Sequence, residues 1–188
     1  PMTLAETAST FAEQLLTGSV LARPETPDEE RRAIYELRLT NAVAFLLDTP
    51  MRFQFEHALY RRRQTRELSV SELNTLMADT QREVFGDAMG ELNPLFWASK
   101  LHFFLNYASF YNFPYTFGFL FSLGIYQRYL DEGDAFLPRY EALLADTGRA
   151  SAEVVAERHL GADITQPDFW LSCFDLVAKD LEARRALG

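Results

Sequence analysis

One imidazole and three phenols, all able to donate and accept hydrogen bonds, lie within fourteen consecutive residues of this 188-residue chain: His102, Tyr107, Tyr111 and Tyr115. They belong to a run of twenty-seven residues without a formal charge, 101–127. Buried phenols and imidazoles require hydrogen-bond partners, and no charged residue of the run can supply them. A single tyrosine is usually a core residue with a satisfied hydroxyl. A cluster of this density favours either backbone partners or a polar ligand.

A second group of polar residues lies near the start of the chain. Glu6, Ser9 and Glu13 are spaced i, i+3 and i+7, which places them on one face of a helix. Such a stripe is most often a solvated face. The small neighbours Ala8 and Ala12 favour instead a close approach of another group to the carboxylates. One glutamate is not a metal site by itself, because zinc requires four ligands, usually with His or Cys among them.

Residue types exclude several other kinds of site. The sequence has no H-E-x-x-H, no glycine-rich phosphate loop and no G-x-S-x-G elbow, and its histidines are far apart: His57, His102 and His159. Cys173 is the single cysteine, which excludes an internal disulfide framework and a cysteine-based zinc site. A net charge of −9 makes the chain a poor binder of polyanions, so we expect no nucleic-acid partner.

The elements that must position these residues are helices, because helix signals recur along the chain and strand signals are nearly absent. We see no linker, internal repeat or low-complexity tract, so the sequence predicts a single all-α, multi-helix unit. Apolar spacing and capping signals place helices in the following ranges. They are 3–21, 26–47, 49–63, 69–85, 134–144, 151–161 and 168–187.

The uncharged run allows more than one interpretation. A membrane span needs about 20 apolar residues in unbroken helix, but His102, Asn112 and Pro114 interrupt this run, so we expect no membrane partner. A buried central helix suits 117–125 well. Asn112 can cap that helix, since proline is tolerated in a first turn. The residues 102–111 then form a loop or a separate short helix.

Two segments of the chain, LAETASTFAE and HFFLNYASFYNFPYTFG, resemble the C-terminal half of the catalytic domain of oligoendopeptidase F, a thimet-type zinc oligopeptidase. In that family an H-E-x-x-H helix supplies two zinc-binding histidines, and a glutamate further along the chain is the third zinc ligand. This glutamate begins a Glu-x-x-Ser motif, and another Glu follows four residues after the Ser. The first segment matches this pattern at Glu6, Ser9 and Glu13.

The second segment matches a further motif of the same family, a histidine followed by tyrosines at plus five and plus nine. His102, Tyr107 and Tyr111 fit it, and the segment then continues through Tyr115 to a glycine. One departure is Phe113, where the oligoendopeptidase version often has tyrosine. The helices between and after the two segments are compatible with the family over the whole chain.

The resemblance implies a cytoplasmic zinc metalloendopeptidase that hydrolyses short unstructured peptides. Glu6 would be a zinc ligand, with Ser9 and Glu13 orienting its carboxylate. The remaining catalytic groups would donate hydrogen bonds to the oxyanion, the negatively charged oxygen of the tetrahedral intermediate. These groups would be His102, Tyr111, Tyr107 and Tyr115. The start of the sequence has no basic stretch followed by an apolar run, which agrees with the cytoplasmic expectation.

The zinc-binding histidines and the general-base glutamate of the family lie upstream of the position that Glu6 matches. We therefore expect residues 1–188 to be the C-terminal helical portion of a zincin-like catalytic domain, inactive until the missing N-terminal portion of the same protein joins it. The alternative is a non-catalytic helical module that binds a peptide or an apolar ligand. A third interpretation is an interaction domain whose aromatic patch is an oligomer interface.

Overall fold

Every regular element of this protein is helical, and the computed structural model describes residues 1–188. The prediction of an all-α fold is confirmed, since no strand is present. Eight α-helices follow one another along the chain. They are α1 (Thr7–Leu21), α2 (Asp28–Val43), α3 (Thr49–Arg63), α4 (Val70–Phe85), α5 (Phe113–Glu132), α6 (Leu137–Asp146), α7 (Ala152–Leu160) and α8 (Pro167–Ala186).

Local capping chemistry explains where several helices begin and end. Ser69 and Glu72 form a capping box at the start of α4, in which each side chain bonds the backbone N–H of the other residue. The helix α4 ends before Gly86, whose φ angle is 55°. The helix α7 ends at Gly161, at φ 61°, a left-handed conformation that glycine adopts without steric cost.

Other boundaries differ from the predicted ranges. The segment expected to be one helix from residue 3 begins as a 3₁₀ turn at Met2–Leu4, and the α-helix starts only at Thr7. The second helix ends at Val43 and passes through a π-helical turn, Ala44–Asp48, directly into α3. Asp134, expected to cap a helix, lies inside a 3₁₀ turn, and α6 starts three residues later with a proline in its first turn.

The chain forms two compact units. Unit 1 comprises Pro1–Ala42 and Phe117–Gly188, and unit 2 comprises Val43–Thr116. Neither boundary falls in a linker: one lies at the end of α2 and the other within α5. Because continuous helix carries the chain across both boundaries, no shift in composition could mark them.

Unit 1 has an aromatic-rich core built by α1, α5, α6 and α7. Its fully buried members include Phe11, Phe121, Ile125, Phe136, Leu143 and Val155. Polar contacts connect α2 to α8: Arg38 bonds Asp180 at 3.1 Å and stacks over the Tyr126 ring at 5.7 Å. Burial and the charge of Arg38 oppose one another at Asp180, and burial prevails, so the pKa of this carboxyl is raised.

Unit 2 has a smaller core between α3 and α4, which Phe103 completes. Its buried residues are Met51, Phe55, Leu59, Leu76, Met77 and Phe103. Side chains of α4 hold the segment that follows it. The amide of Gln81 bonds both the N–H and the C=O of Asn93 at 2.8 Å, and the Asn74 side chain accepts from the indole of Trp97 at 2.8 Å.

The helix α5 agrees with the sequence-based interpretation of the uncharged run. It begins at Phe113, directly after Asn112, with Pro114 in its first turn. The residues before it form a 3₁₀ turn at Leu101–Phe104 and an irregular segment, 105–112. None of the helices, α5 included, combines the length and the apolar character needed to cross a membrane.

The single cysteine gives a direct test of this packing. Cys173 lies on α8 with 1% of its surface exposed, and burial raises the pKa of its thiol to about 12. Because the thiolate is the reactive form, we expect the folded protein to resist a maleimide at mildly alkaline pH, whereas the chain in urea reacts completely. Mass spectrometry measures the labelled fraction. Equal labelling rates in both conditions would contradict the packing of α8.

Candidate active site

Three of the four predicted hydrogen-bonding side chains of the uncharged run come together in unit 2. The rings of His102 and Tyr111 stack with centroids 6.4 Å apart, and Tyr115 meets both rings edge-on, at 5.9 and 5.6 Å. The hydroxyl of Tyr115 lies 3.4 Å from Nε2 of His102, and the imidazole tautomer decides which of the two donates. All three residues are partly exposed.

The fourth predicted residue is separate from this cluster. Tyr107 is 82% exposed on the irregular segment that precedes α5, and it takes no part in the three ring contacts. The structure therefore brings His102, Tyr111 and Tyr115 together and leaves the Tyr107 hydroxyl in solvent. We call the three clustered residues the aromatic triad.

Three short elements position the aromatic triad. His102 lies on the 3₁₀ turn Leu101–Phe104, Tyr111 on the irregular segment, and Tyr115 in the first turn of α5. The hydroxyl of Thr116 donates to the carbonyl of Phe45 at 2.6 Å and so ties the start of α5 to the π-helical turn.

A buried carboxylate that the sequence analysis passed over also holds this region. Glu56, on α3, has no exposed surface. Its Oε1 accepts from the N–H of Phe110 at 2.8 Å and its Oε2 accepts from Nδ2 of Asn112 at 2.9 Å. In the sequence Glu56 is one more charged residue of an amphipathic helix, and the only available signal was its position directly after the apolar Phe55.

The predicted metal ligand, Glu6, lies in unit 1 at the N-terminal cap of α1, with its side chain partly buried. Its carbonyl accepts hydrogen bonds from the hydroxyls of Ser9 at 3.1 Å and Thr10 at 2.9 Å. Ser9 therefore fixes the main chain of Glu6, and the side chain of Glu13 is exposed one turn further along α1.

Close packing against α5 determines where Glu6 lies. A Cβ atom built on Gly118 would come within 2.8 Å of the Cβ of Glu6 and within 3.4 Å of its carbonyl carbon. Only a residue without a side chain at position 118 allows this approach. The glycine thus forms a cradle for the backbone of Glu6, and the carboxylate at this position is a suitable oxygen ligand for zinc.

The structure contains no group of three or more His, Cys, Asp or Glu side chains arranged to hold a metal ion.

Comparison with known proteins identifies the chain's relatives at the level of a family. The sequence model of Peptidase family M3 matches residues 1–176. The chain belongs to peptidase family M3. No curated protein and no solved structure shows a significant match.

Membership of the M3 family supports a metallopeptidase type of function, and M3 peptidases are generally zinc enzymes. The match extends over both segments that carried the resemblance, the one around Glu6 and the one from His102 to Tyr115. The resemblance stated from those motifs is confirmed at the level of the M3 family, whereas the oligoendopeptidase F member and the C-terminal placement stay predictions.

The cradle at Gly118 gives a prediction about stability. We expect Gly118→Ala to lower the free energy of unfolding by about 1–3 kcal/mol, because the new methyl group overlaps the backbone of Glu6. Gly148→Ala is the matched control in the same unit, since nothing lies within 4 Å of a Cβ at that position. Urea unfolding measures both variants. Equal midpoints would show that Glu6 does not pack against α5.

Proposed function

We propose that this chain is the part of a zinc-dependent oligoendopeptidase that contributes one zinc ligand and the groups that stabilise the oxyanion. The observation that carries the proposal is the aromatic triad: two phenols and an imidazole, partly exposed, within one ring cluster. The match to Peptidase family M3 over residues 1–176 supports a peptidase as the setting for this chemistry.

Peptide hydrolysis requires an activated water and a stabilised carbonyl oxygen. Zinc, when bound, polarises the scissile carbonyl and lowers the pKa of a bound water. In this chain Glu6 is the proposed ligand. The hydroxyl of Ser9 and the glycine at position 118 hold the main chain from which its carboxylate extends. Glu13 is proposed to act on the same carboxylate from two turns further along α1.

The aromatic triad is proposed to act on the carbonyl oxygen of the substrate as negative charge develops there. A phenol O–H is a hydrogen-bond donor, so Tyr111 can donate to this oxygen. His102 donates from its ring nitrogen, and Tyr115 orients the imidazole through the 3.4 Å contact to Nε2. Loss of one such donor typically costs about 3 kcal/mol of transition-state stabilisation.

Short unstructured peptides are the proposed substrates. Exposed apolar side chains accompany the aromatic triad in the same stretch of unit 2, at Leu101, Phe104 and Tyr107. Surfaces of this kind bind apolar side chains of an extended peptide and supply few charges that would select among sequences. Tyr107, exposed as it is, is a further candidate for contact with the substrate.

The same exposed side chains favour the second candidate, a non-catalytic helical module that binds a peptide or apolar ligand. The two functions differ in what the Tyr111 hydroxyl does. A binding module uses the ring and tolerates loss of the hydroxyl. A peptidase requires the hydroxyl in the transition state, beyond any effect on binding.

The remaining ligands are proposed to come from residues outside these 188. The family resemblance requires an H-E-x-x-H helix, and no such motif occurs in this sequence. We propose that an upstream portion of the same protein, in the cytoplasm, supplies the two histidines and the general-base glutamate.

This gives a prediction about the isolated chain. We expect residues 1–188 alone to show no chelator-sensitive cleavage of a fluorogenic peptide. A longer chain that includes an H-E-x-x-H segment is expected to cleave it, and to lose the activity on treatment with a zinc chelator. Cleavage by the isolated chain that a chelator abolishes would contradict the proposal.

The role of the phenol is tested in the longer, active chain. We expect Tyr111→Phe to lower kcat about 100-fold or more with little change in stability, because the variant loses a donor to the oxyanion. Tyr126→Phe is the control, since Tyr126 is buried in unit 1 beneath Arg38. Steady-state kinetics and thermal unfolding are measured for both. Equal effects on kcat would remove the oxyanion role from Tyr111 and favour the binding module.

A further inference from the structure

The buried carboxylate of Glu56 lies beneath the segment that carries Tyr111. Burying a carboxylate costs free energy of folding unless hydrogen-bond donors replace the water around it. Glu56 has no exposed surface, and each of its oxygens accepts a hydrogen bond. Neither of those partners belongs to its own helix: one is the backbone of Phe110 and the other is the side chain of Asn112. The carboxylate therefore connects α3 to the end of the irregular segment.

The first partner has an unusual backbone conformation. Phe110 is the single non-glycine residue of the chain with a positive φ, 61°. A bulky side chain rarely adopts this left-handed conformation unless its surroundings impose it. Here α3 holds both ends of the residue. Glu56 accepts from its N–H, and the rings of Phe53 and Tyr60 contact its side chain, with centroids 5.7 and 5.1 Å away.

The second partner fixes the chain on the other side of Tyr111. Asn112 has no exposed surface, and the Nδ2 of its side chain donates to Oε2 of Glu56. Its main-chain carbonyl accepts from the N–H of Tyr115 at 3.2 Å. Tyr111 thus lies between two residues that one carboxylate holds. The direction in which its phenol leaves the backbone follows from those two hydrogen bonds.

We propose that Glu56 is a positioning residue for Tyr111: it locks Phe110 in the left-handed conformation and Asn112 at the start of α5, and so aims the phenol at the reacting carbonyl. This inference rests on the proposed function of Tyr111. It assigns to Glu56 a role in catalysis without contact with substrate or metal. A displacement of about 1 Å at a catalytic group can lower the rate about 100-fold.

The decisive variant changes one atom type of the carboxylate. Glu56→Gln keeps an oxygen for the N–H of Phe110 but sets an amide N–H₂ against the N–H₂ of Asn112, so two donors face one another. In the longer, active chain we expect kcat to fall about 10- to 100-fold, with KM changed less than about threefold.

A second substitution restores the lost hydrogen bond. In the double variant Glu56→Gln with Asn112→Asp, the glutamine amide at position 56 can donate to the new carboxylate at position 112. The hydrogen bond between the two positions is restored, with the carboxylate now on α5's side of it. We expect kcat to recover to within about threefold of the parent value. A double variant that folds but shows no recovery would overturn the proposal.

The control comes from the same unit. Gln81 holds Asn93 by two hydrogen bonds from α4, and no member of the aromatic triad lies on that segment. Gln81→Glu places a carboxylate oxygen against the carbonyl of Asn93, so we expect reduced stability with kcat unchanged. If Glu56→Gln lowers kcat no more than Gln81→Glu at equal loss of stability, Glu56 is only a structural residue.

Amide hydrogen exchange tests the clamp without activity. In the 188-residue chain we expect the N–H of Phe110 to exchange at least about tenfold more slowly than that of Tyr107, and Glu56→Leu to remove the difference. Equal exchange of the two amides in the parent would overturn the positioning role. If this protection is found but Tyr111→Phe retains full kcat, the proposed function of Tyr111 is wrong. Glu56 then holds the segment but has no role in catalysis.

Discussion

The structure of unit 2 depends on one requirement, that a carboxylate removed from water must find hydrogen-bond donors. Glu56 meets it by accepting hydrogen bonds from the N–H of Phe110 and the side chain of Asn112, and so it holds the end of the segment 105–112, which has no regular structure. The segment has no charged residue of its own. Its conformation is therefore determined from outside, by the helix that it covers, and the position of Tyr111 follows.

Glycine has the corresponding role in unit 1. The missing side chain at Gly118 lets the backbone of Glu6 approach α5, and the hydroxyls of Ser9 and Thr10 then hold the Glu6 carbonyl. The two arrangements use opposite means. One removes volume so that a backbone can come close, and the other adds a buried charge so that a backbone is held. Both hold the chain next to the functional side chains and leave those side chains partly exposed, which is what a binding or catalytic group requires.

The match to Peptidase family M3 supports a metallopeptidase type of function, and the aromatic triad is the group for which we propose the oxyanion role. The family match concerns residue types in order along the chain. The triad concerns atoms in space, and it separates residues that the motif treats alike: Tyr111 and Tyr115 share a cluster with His102, whereas Tyr107 is in solvent. An oxyanion role therefore has more structural support for Tyr111 than for Tyr107.

Local signals in the sequence were sufficient for the helical fold, the capping box at Ser69, the stop at Gly161 and the start of α5 after Asn112, because each depends on backbone hydrogen bonds between residues a few positions apart. The residue types of the candidate site could be read in the same way. The π turn between α2 and α3, the left-handed Phe110 and the burial of Glu56 could not, because each is stabilised by partners more than fifty residues away or by packing that no local pattern records. The amino-acid order determined which groups are available for chemistry, and tertiary packing alone decided which of them lie together, since the energy that holds a buried charge or a strained backbone comes from contacts distant in sequence.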